Sequence, residues 1–80
     1  MAVASKVKAL LNIKGKKIQD LAECFGMSPQ AMRNKLSRDS FSAADLIKVA
    51  QFLDAELSFV ISDNQKIVLD ELDLKAPAVD

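Results

Sequence analysis

The segment from Ile18 to Leu36, IQDLAECFGMSPQAMRNKL, constrains the fold of this chain more than any other part of the sequence. Apolar residues recur in its first half at positions i, i+3, i+4 and i+7, which is the spacing of one helix face. Gly26 follows, and glycine allows the backbone to leave a helix in a left-handed conformation. The segment therefore predicts two short helices joined by a tight turn, a helix-turn-helix arrangement. The apolar face of the first helix comprises Ile18, Leu21, Ala22 and Phe25.

Ser28 and Pro29 mark the start of the second helix. The Ser28 hydroxyl can accept a hydrogen bond from a backbone N–H group of the first turn, and proline at the first helical position loses no hydrogen bond. Met27 and Met32, placed just before the cap and four residues after it, can pack together as a hydrophobic staple. The second helix is therefore predicted to run from Ser28 to Ser37.

These residues resemble the helix-turn-helix of the phage-repressor-like (Cro/XRE type) DNA-binding domains. Ala22 matches the small residue of the family's first helix, and Gly26 matches its turn glycine four positions later. Met32 matches the apolar anchor of the second helix. Leu36 closes the motif one place later than in the family, where this chain has Lys35. The resemblance implies that the second helix enters the major groove of DNA.

The resemblance covers roughly residues 6–53 and implies a mainly α fold, a compact four-helix domain of the lambda-repressor type. One further helix is predicted before the motif, around Val7. Another is predicted after Ser42, which can cap it, and Asp45 then lies in its positive first turn. The predicted core takes one face from each helix and consists of Val7, Leu10, Leu21, Phe25, Met32, Leu36, Leu46 and Ala50.

A C-terminal β-hairpin is predicted after residue 55. Leu57, Phe59 and Ile61 alternate with Ser58, Val60 and Ser62. A second apolar run follows at 67–69, and Asp63-Asn64 lies between the two runs. Asn and Asp suit the positive φ that a two-residue hairpin turn demands. The predicted organisation is a helix-turn-helix DNA-binding domain at residues 1–55, the β-hairpin at 56–72 and a loose tail at 73–80.

An isolated two-stranded hairpin is marginally stable in water and leaves apolar side chains and strand edges exposed. We predict that the hairpin of a second copy covers it, so that a homodimer forms with a four-stranded sheet across a two-fold axis. The alternative is a monomer in which the hairpin folds back and caps the core. The predicted dimer interface comprises Phe59, Ile61, Ile67 and Leu69.

Charge is distributed unevenly along the chain. The formal net charge is zero, which argues against a strongly basic DNA-binding protein. However, residues 1–41 contain eight basic and three acidic residues, a net charge of +5, and residues 42–80 contain three basic and eight acidic residues, a net charge of −5. This asymmetry favours one side that faces a polyanion and a second side with another role. The alternative is that the charges merely occupy solvated faces.

The polar residues of the second helix are the candidates for DNA recognition. Gln and Asn can form two hydrogen bonds with adenine, and Arg can form two with guanine. The matching positions of the family contact bases. The residues predicted to contact base edges are Gln30, Arg33 and Asn34. Those predicted to contact the sugar-phosphate backbone are Lys17, Ser28, Lys35, Arg38 and Ser42.

Other function classes have little support in the sequence. The chain has no histidine, a single cysteine (Cys24), no glycine-rich phosphate loop and no cluster of metal ligands. An enzyme is therefore not expected, and neither a cofactor nor a metal site is predicted. The sequence shows no run of 18 or more apolar residues and no signal peptide, so we expect a cytoplasmic protein without membrane contact.

Two functions follow from these observations. The first is a sequence-specific, DNA-binding transcriptional regulator of bacterial or phage origin, which binds a palindromic operator as a homodimer. The alternative is a protein-interaction module, such as an antitoxin or a phage accessory protein, that keeps the helix-turn-helix scaffold without strong DNA binding. In that case the acidic C-terminal half would bind a protein partner.

Overall fold

The computed structural model describes residues 3–74 of the chain. Four α-helices are followed by two antiparallel strands and a short 3-10 helix. This order confirms the predicted fold class, a mainly α helix-turn-helix domain of four helices with a C-terminal β-hairpin. The elements are α1 (Val3–Lys14), α2 (Ile18–Cys24), α3 (Pro29–Arg38), α4 (Ala43–Phe52), β1 (Leu57–Ser62), β2 (Gln65–Leu69) and the 3-10 helix (Glu71–Leu74).

The chain divides into two compact units, unit 1 at residues 1–42 and unit 2 at residues 43–80. Unit 1 contains α1, α2 and α3, and unit 2 contains α4, the hairpin and the 3-10 helix. The predicted loose tail begins inside the 3-10 helix, and its residues 75–80 lie outside the described part of the chain. Among residues 3–74, no helix has both the length and the apolar character needed to cross a bilayer.

The core of unit 1 is formed by the apolar faces of its three helices. α2 and α3 contact each other directly, and both Leu21 and Met32 are completely buried. Full burial of one such side chain contributes roughly 1.5–3 kcal/mol to stability. Leu10 and Phe25, predicted to lie in the core, are only half-buried. The buried residues of unit 1 are Ala4, Val7, Leu11, Leu21, Ala22, Met32 and Leu36.

The turn between α2 and α3 depends on Gly26. Its φ is +68°, and its N–H donates to the carbonyl of Glu23 at 3.0 Å while the N–H of Met27 donates to that of Ala22 at 3.0 Å. This pair of hydrogen bonds is a Schellman motif, which satisfies the last carbonyls of a helix. A Cβ atom at Gly26 would meet no atom within 4 Å. Backbone conformation, and not a lack of space, therefore requires glycine here.

Asp39 ends α3 and also caps α1. α3 extends to Arg38, one residue beyond its predicted end, and Asp39 follows with φ 56° in the left-handed region. Aspartate tolerates this conformation better than most residues. Its carboxylate oxygens accept hydrogen bonds from the backbone N–H groups of Val3 (3.2 Å) and Ala4 (2.6 Å). One residue therefore fixes the C-terminus of α3 to the N-terminus of α1.

α4 provides the apolar core of unit 2. It begins directly after Ser42 and contacts β1 and the 3-10 helix. Leu46, predicted to face the core, is only half-buried, whereas the adjacent Ile47 is 3% exposed. Ala50, also predicted to lie in the core, is buried, so α4 keeps its predicted buried side and includes Ile47 in place of Leu46. The buried residues of unit 2 are Ile47, Val49, Ala50 and Leu53.

The hairpin contains a β-bulge at Ile61. Val60 pairs with Lys66 and Ser62 pairs with Gln65, so Ile61 is an extra residue on β1. The turn lies at Asp63-Asn64 as predicted, but neither residue has a positive φ. The expectation of positive φ is therefore wrong. A bulge increases the local right-handed twist of a strand pair, which the mirror-image turns with positive φ otherwise supply.

Candidate nucleic-acid interface

α3 has a well-defined N-terminus. Ser28 adopts an extended conformation, and its side-chain oxygen accepts a hydrogen bond from the backbone N–H of Ala31 at 3.1 Å. Pro29 occupies the first turn, where its missing N–H leaves no acceptor unsatisfied. Met32 and Leu36 anchor the inner face of the helix and are 0% and 4% exposed. These contacts hold the N-terminal half of α3 in a fixed position on unit 1.

Gln30 and Asn34 form the outward face of α3. Both side chains are exposed, and the Nε2 of Gln30 donates a hydrogen bond to the Oδ1 of Asn34 at 3.2 Å. Residues four positions apart lie on the same face of a helix, and each helical residue is rotated by about 100° from the previous one. This face is opposite the buried Met32. The structure therefore brings together two of the three side chains predicted to contact bases.

Arg33, the third of these residues, lies on the flank of α3 beside a cleft. The cleft has a volume of about 420 Å³, and a second depression shares Lys8, Ile18 and Arg33 with it. Among residues 3–74, none of those that line the cleft is acidic. Two of its lining residues are apolar and the others are polar or basic: Lys8, Leu11, Asn12, Lys16, Lys17, Ile18, Gln19 and Arg33. We call this site the basic cleft.

Lys8 lines the basic cleft and is not among the predicted DNA contacts. It lies on α1 four residues after the buried Ala4 and three residues before the buried Leu11. Positions with this spacing border the apolar stripe of a helix. The sequence thus contained a signal that Lys8 lies next to the core, although it did not show that α1 and α3 bring Lys8 and Arg33 to one cleft.

Lys17, predicted to contact the DNA backbone, is the residue that precedes α2. Its backbone N–H donates a hydrogen bond to the Oδ2 of Asp20 at 2.9 Å. A carboxylate in the first turn also interacts favourably with the positive end of the helix dipole. Asp20 therefore fixes the conformation of the chain at Lys17, whose side chain is exposed at the basic cleft.

Lys35 contacts the segment that follows α3. Its Nζ donates a hydrogen bond to the carbonyl oxygen of Ser40 at 2.9 Å and lies 5.4 Å from the centroid of the Phe41 ring. Both contacts stabilise the end of the helix, and the second is a cation–π interaction. Arg38, in the last turn of α3, and Ser42, just before α4, are exposed.

The hairpin presents a continuous apolar face. Phe59 lies opposite Ile67, and these two side chains are 66% and 60% exposed. Leu57 lies opposite Leu69, and both are half-buried. Residues directly opposite each other in a strand pair share one face. We call these four residues the apolar hairpin face. Leu57 was not predicted to belong to it, and Ile61, which was, lies at the bulge and is 57% exposed.

The boundary between the two units is also the boundary between the two charge regions. Residues 1–42 contain eight basic and three acidic residues, a net charge of +5. Residues 43–80 contain three basic and eight acidic residues, a net charge of −5. The capped α3 and the basic cleft therefore both belong to a unit with the positive charge that association with a polyanion requires.

The crossing of α2 and α3, the left-handed turn at Gly26 and the capped start of α3 define unit 1 as a helix-turn-helix domain. The chain belongs to the bacteriophage CI repressor helix-turn-helix domain family, whose family model matches residues 2–67. This match confirms the phage-repressor-like family that the sequence indicates, a family of DNA-binding regulators. No curated protein and no solved structure matches the chain.

Proposed function

We propose that this protein is a sequence-specific, DNA-binding transcriptional regulator of phage-repressor type, acting in the cytoplasm. The observation that supports this function best is the outward face of α3, where Gln30 and Asn34 are exposed on a helix anchored by its opposite face. The major groove admits one helix, and the N-terminal residues of a recognition helix contact base edges. Membership of the phage CI repressor domain family supports DNA as the ligand.

The proposed contacts to the DNA backbone position this helix. They involve side chains at four places, the start of α2, the start of α3, the last turn of α3 and the start of α4. Such contacts fix orientation and make affinity depend on salt, whereas base contacts determine sequence preference. The proposed backbone contacts are Lys17, Ser28, Arg38 and Ser42, together with Lys35 if its bond to Ser40 exchanges for a phosphate.

We further propose that the protein binds a palindromic operator as a homodimer through the apolar hairpin face. Phe59 and Ile67 are too exposed in one chain to contribute much to its own stability. In an isologous dimer the same face meets itself across a two-fold axis. Two recognition helices would then occupy successive major grooves, with half-sites about 34 Å apart.

A binding selection on random duplex DNA, with sedimentation of the free protein, tests this function. We expect a palindrome to be enriched and the protein to sediment as a dimer at the concentrations used. Enrichment of a single half-site by a monomer would contradict the dimer and retain the DNA-binding function. If the folded protein enriches no sequence at low salt, the proposed function is wrong.

A second candidate, a protein-interaction module, is favoured by the exposed apolar hairpin face within the acidic unit 2. A protein partner with a basic rim and an apolar centre would fit such a surface. The two candidates differ in salt dependence, because phosphate contacts release counterions and a largely apolar interface does not. Only the DNA-binding function predicts that the logarithm of the affinity falls linearly with the logarithm of the salt concentration.

A further inference from the structure

We infer that the basic cleft binds a phosphate of the DNA backbone and that Arg33 is a phosphate contact, not a base contact. The inference rests on the proposed DNA-binding function and states which polar residues of unit 1 contact bases and which contact phosphates. Gln30 and Asn34 then determine sequence preference, whereas Arg33 and Lys8 determine affinity and salt dependence.

The position of Arg33 around α3 is the first support. With a rotation of about 100° per residue, Arg33 lies roughly 60° from Gln30 and 100° from Asn34 around the helix axis. When a helix lies in the major groove, its outermost residues face the base edges and its flanks face the sugar-phosphate walls. Arg33 is exposed on the flank that borders the basic cleft.

The composition of the cleft is the second support. Cations reach it from three separate segments, namely Lys8 from α1, Lys17 from the start of α2 and Arg33 from α3. No carboxylate from the described part of the chain lines it, and Asp20, the nearest acid in sequence, accepts a hydrogen bond from the backbone N–H of Lys17. Like-charged side chains that border one concavity repel each other, and an anion placed between them removes that repulsion.

The floor and the shape of the cleft favour a phosphodiester. The buried Leu11 and the half-buried Ile18 line the cleft, and apolar side chains reduce the local dielectric constant and so strengthen a charge–charge interaction. Arginine can donate two parallel hydrogen bonds to phosphate oxygens. Because the cleft is a surface concavity on the flank of the recognition helix, the chemistry and the position both fit the backbone of the same DNA that α3 would enter.

The test compares two duplexes, one enriched by the natural protein from a random pool and one of unrelated sequence, over a range of salt concentrations. Arg33→Gln and Lys8→Gln are each expected to lower the affinity for both duplexes by the same factor, about eight-fold at 0.1 M salt. Each should also reduce the slope of log affinity against log salt concentration by about 0.9. Arg33→Lys should leave the salt slope unchanged, because the slope depends on the charge that neutralises the phosphate, and it should weaken binding less than Arg33→Gln, because only the planar fork is lost.

Lys6→Gln is the matched control, since it removes one positive charge from the exposed surface of α1 without altering the lining of the cleft. It should leave affinity nearly unchanged. The inference is overturned if Arg33→Gln lowers the affinity for the enriched duplex alone and abolishes the sequence preference at one base pair. It is also overturned if Lys8→Gln leaves the affinity as nearly unchanged as Lys6→Gln does. Failure of the natural protein to bind any duplex would instead reject the proposed function itself.

Competition by inorganic phosphate distinguishes two possible ligands of the basic cleft, the DNA backbone and a small phosphate compound. Added in exchange for chloride at constant ionic strength, it should not compete with the duplex beyond the effect of salt. Saturable competition that Arg33→Gln and Lys8→Gln abolish would assign the basic cleft to a free phosphate compound and would overturn the inference.

Discussion

The carboxylate of Asp39 lies 2.6 Å from the backbone nitrogen of Ala4, thirty-five residues earlier in the chain. The bond satisfies one of the N–H groups that the first turn of a helix leaves without a partner. It also places a negative charge at the positive end of the α1 dipole. The end of the proposed recognition helix is thereby fixed to the helix that contributes Lys8 to the basic cleft.

Asp39→Asn is expected to destabilise the protein by about 0.3–2 kcal/mol, the range for a negative charge at the N-terminus of a helix. Asparagine tolerates the left-handed conformation, so the substitution removes the charge and one acceptor and leaves the backbone unstrained. Urea unfolding measures the difference. Asp63→Asn, the same change at an exposed residue of the hairpin turn, is the control and should have almost no effect. Equal stabilities of the two variants would contradict the capping role.

The local elements of unit 1 could be predicted because their signals are local. Ser28, Pro29 and Gly26 determine where helices begin and end through the conformations of single residues. The Asp39 cap could not be predicted, since aspartate in a polar segment indicates many local turns and the accepting helix end is distant in sequence. Only the packing of α1 against the rest of unit 1 brings the two ends together.

The same distinction applies to the candidate site. Gln30 and Asn34 could be placed on one exposed face from helical spacing alone. The basic cleft depends on the crossing of three helices, so spacing within α3 did not separate Arg33 from these two residues. In unit 2, strand alternation places Leu57 on the same face as Phe59, and the extra residue at Ile61 removes Ile61 from the paired positions.

Glu56 and Lys66 give the hairpin a dependence on pH. The Lys66 ammonium lies 2.8 Å from the Glu56 carboxylate, and its hydrogen bond holds the pKa of Glu56 below the usual value. A lowered folded-state pKa means that the pair stabilises the hairpin above the unfolded pKa of glutamate. This contribution is lost as the pH falls through the lowered folded pKa.

We therefore expect Lys66→Gln to raise the titration midpoint of Glu56, followed by NMR of its side-chain carboxyl carbon. Lys48→Gln, which removes a charge from α4 in the same unit, should leave the midpoint where it is. A midpoint that moves equally in both variants would attribute the shift to the overall charge of unit 2 and not to the ion pair.

Gln30→Ala and Asn34→Ala are each expected to weaken binding to the enriched duplex by about 1–3 kcal/mol and to relax preference at one or two base pairs. Because the two amides are hydrogen-bonded to each other, the double substitution should cost less than the sum of the single ones. Binding isotherms on the enriched duplex and on single-base variants measure both effects. Ser40→Ala, outside α3, serves as the control.

An additive result would show that the two side chains act independently on DNA and that their hydrogen bond does not persist in the complex. If neither substitution changes the preferred sequence, the outward face of α3 is not the surface that contacts the bases. Loss of affinity without change of preference would give these residues the same role that we assign to Arg33.

Ile67 and Val68 provide a matched test of the homodimer, because they are adjacent on β2 and lie on opposite faces of the hairpin. Both are exposed in one chain, at 60% and 41%. Threonine retains the β-branched shape that strands favour. Ile67→Thr should weaken dimerisation at least about tenfold, since the two-fold axis makes each apolar group lost count twice, whereas Val68→Thr should change it little.

Sedimentation equilibrium gives the dimer constant, and urea unfolding at low protein concentration shows whether the isolated chain remains stable. If the hairpin instead packs on its own chain, Ile67→Thr would reduce stability at every protein concentration and leave the mass unchanged. A larger effect of Val68→Thr would place the interface on the opposite face, where Ser58 and Lys66 lie among the apolar residues. Weaker dimerisation that depends on protein concentration and occurs only in Ile67→Thr agrees only with a second copy that packs on the apolar hairpin face.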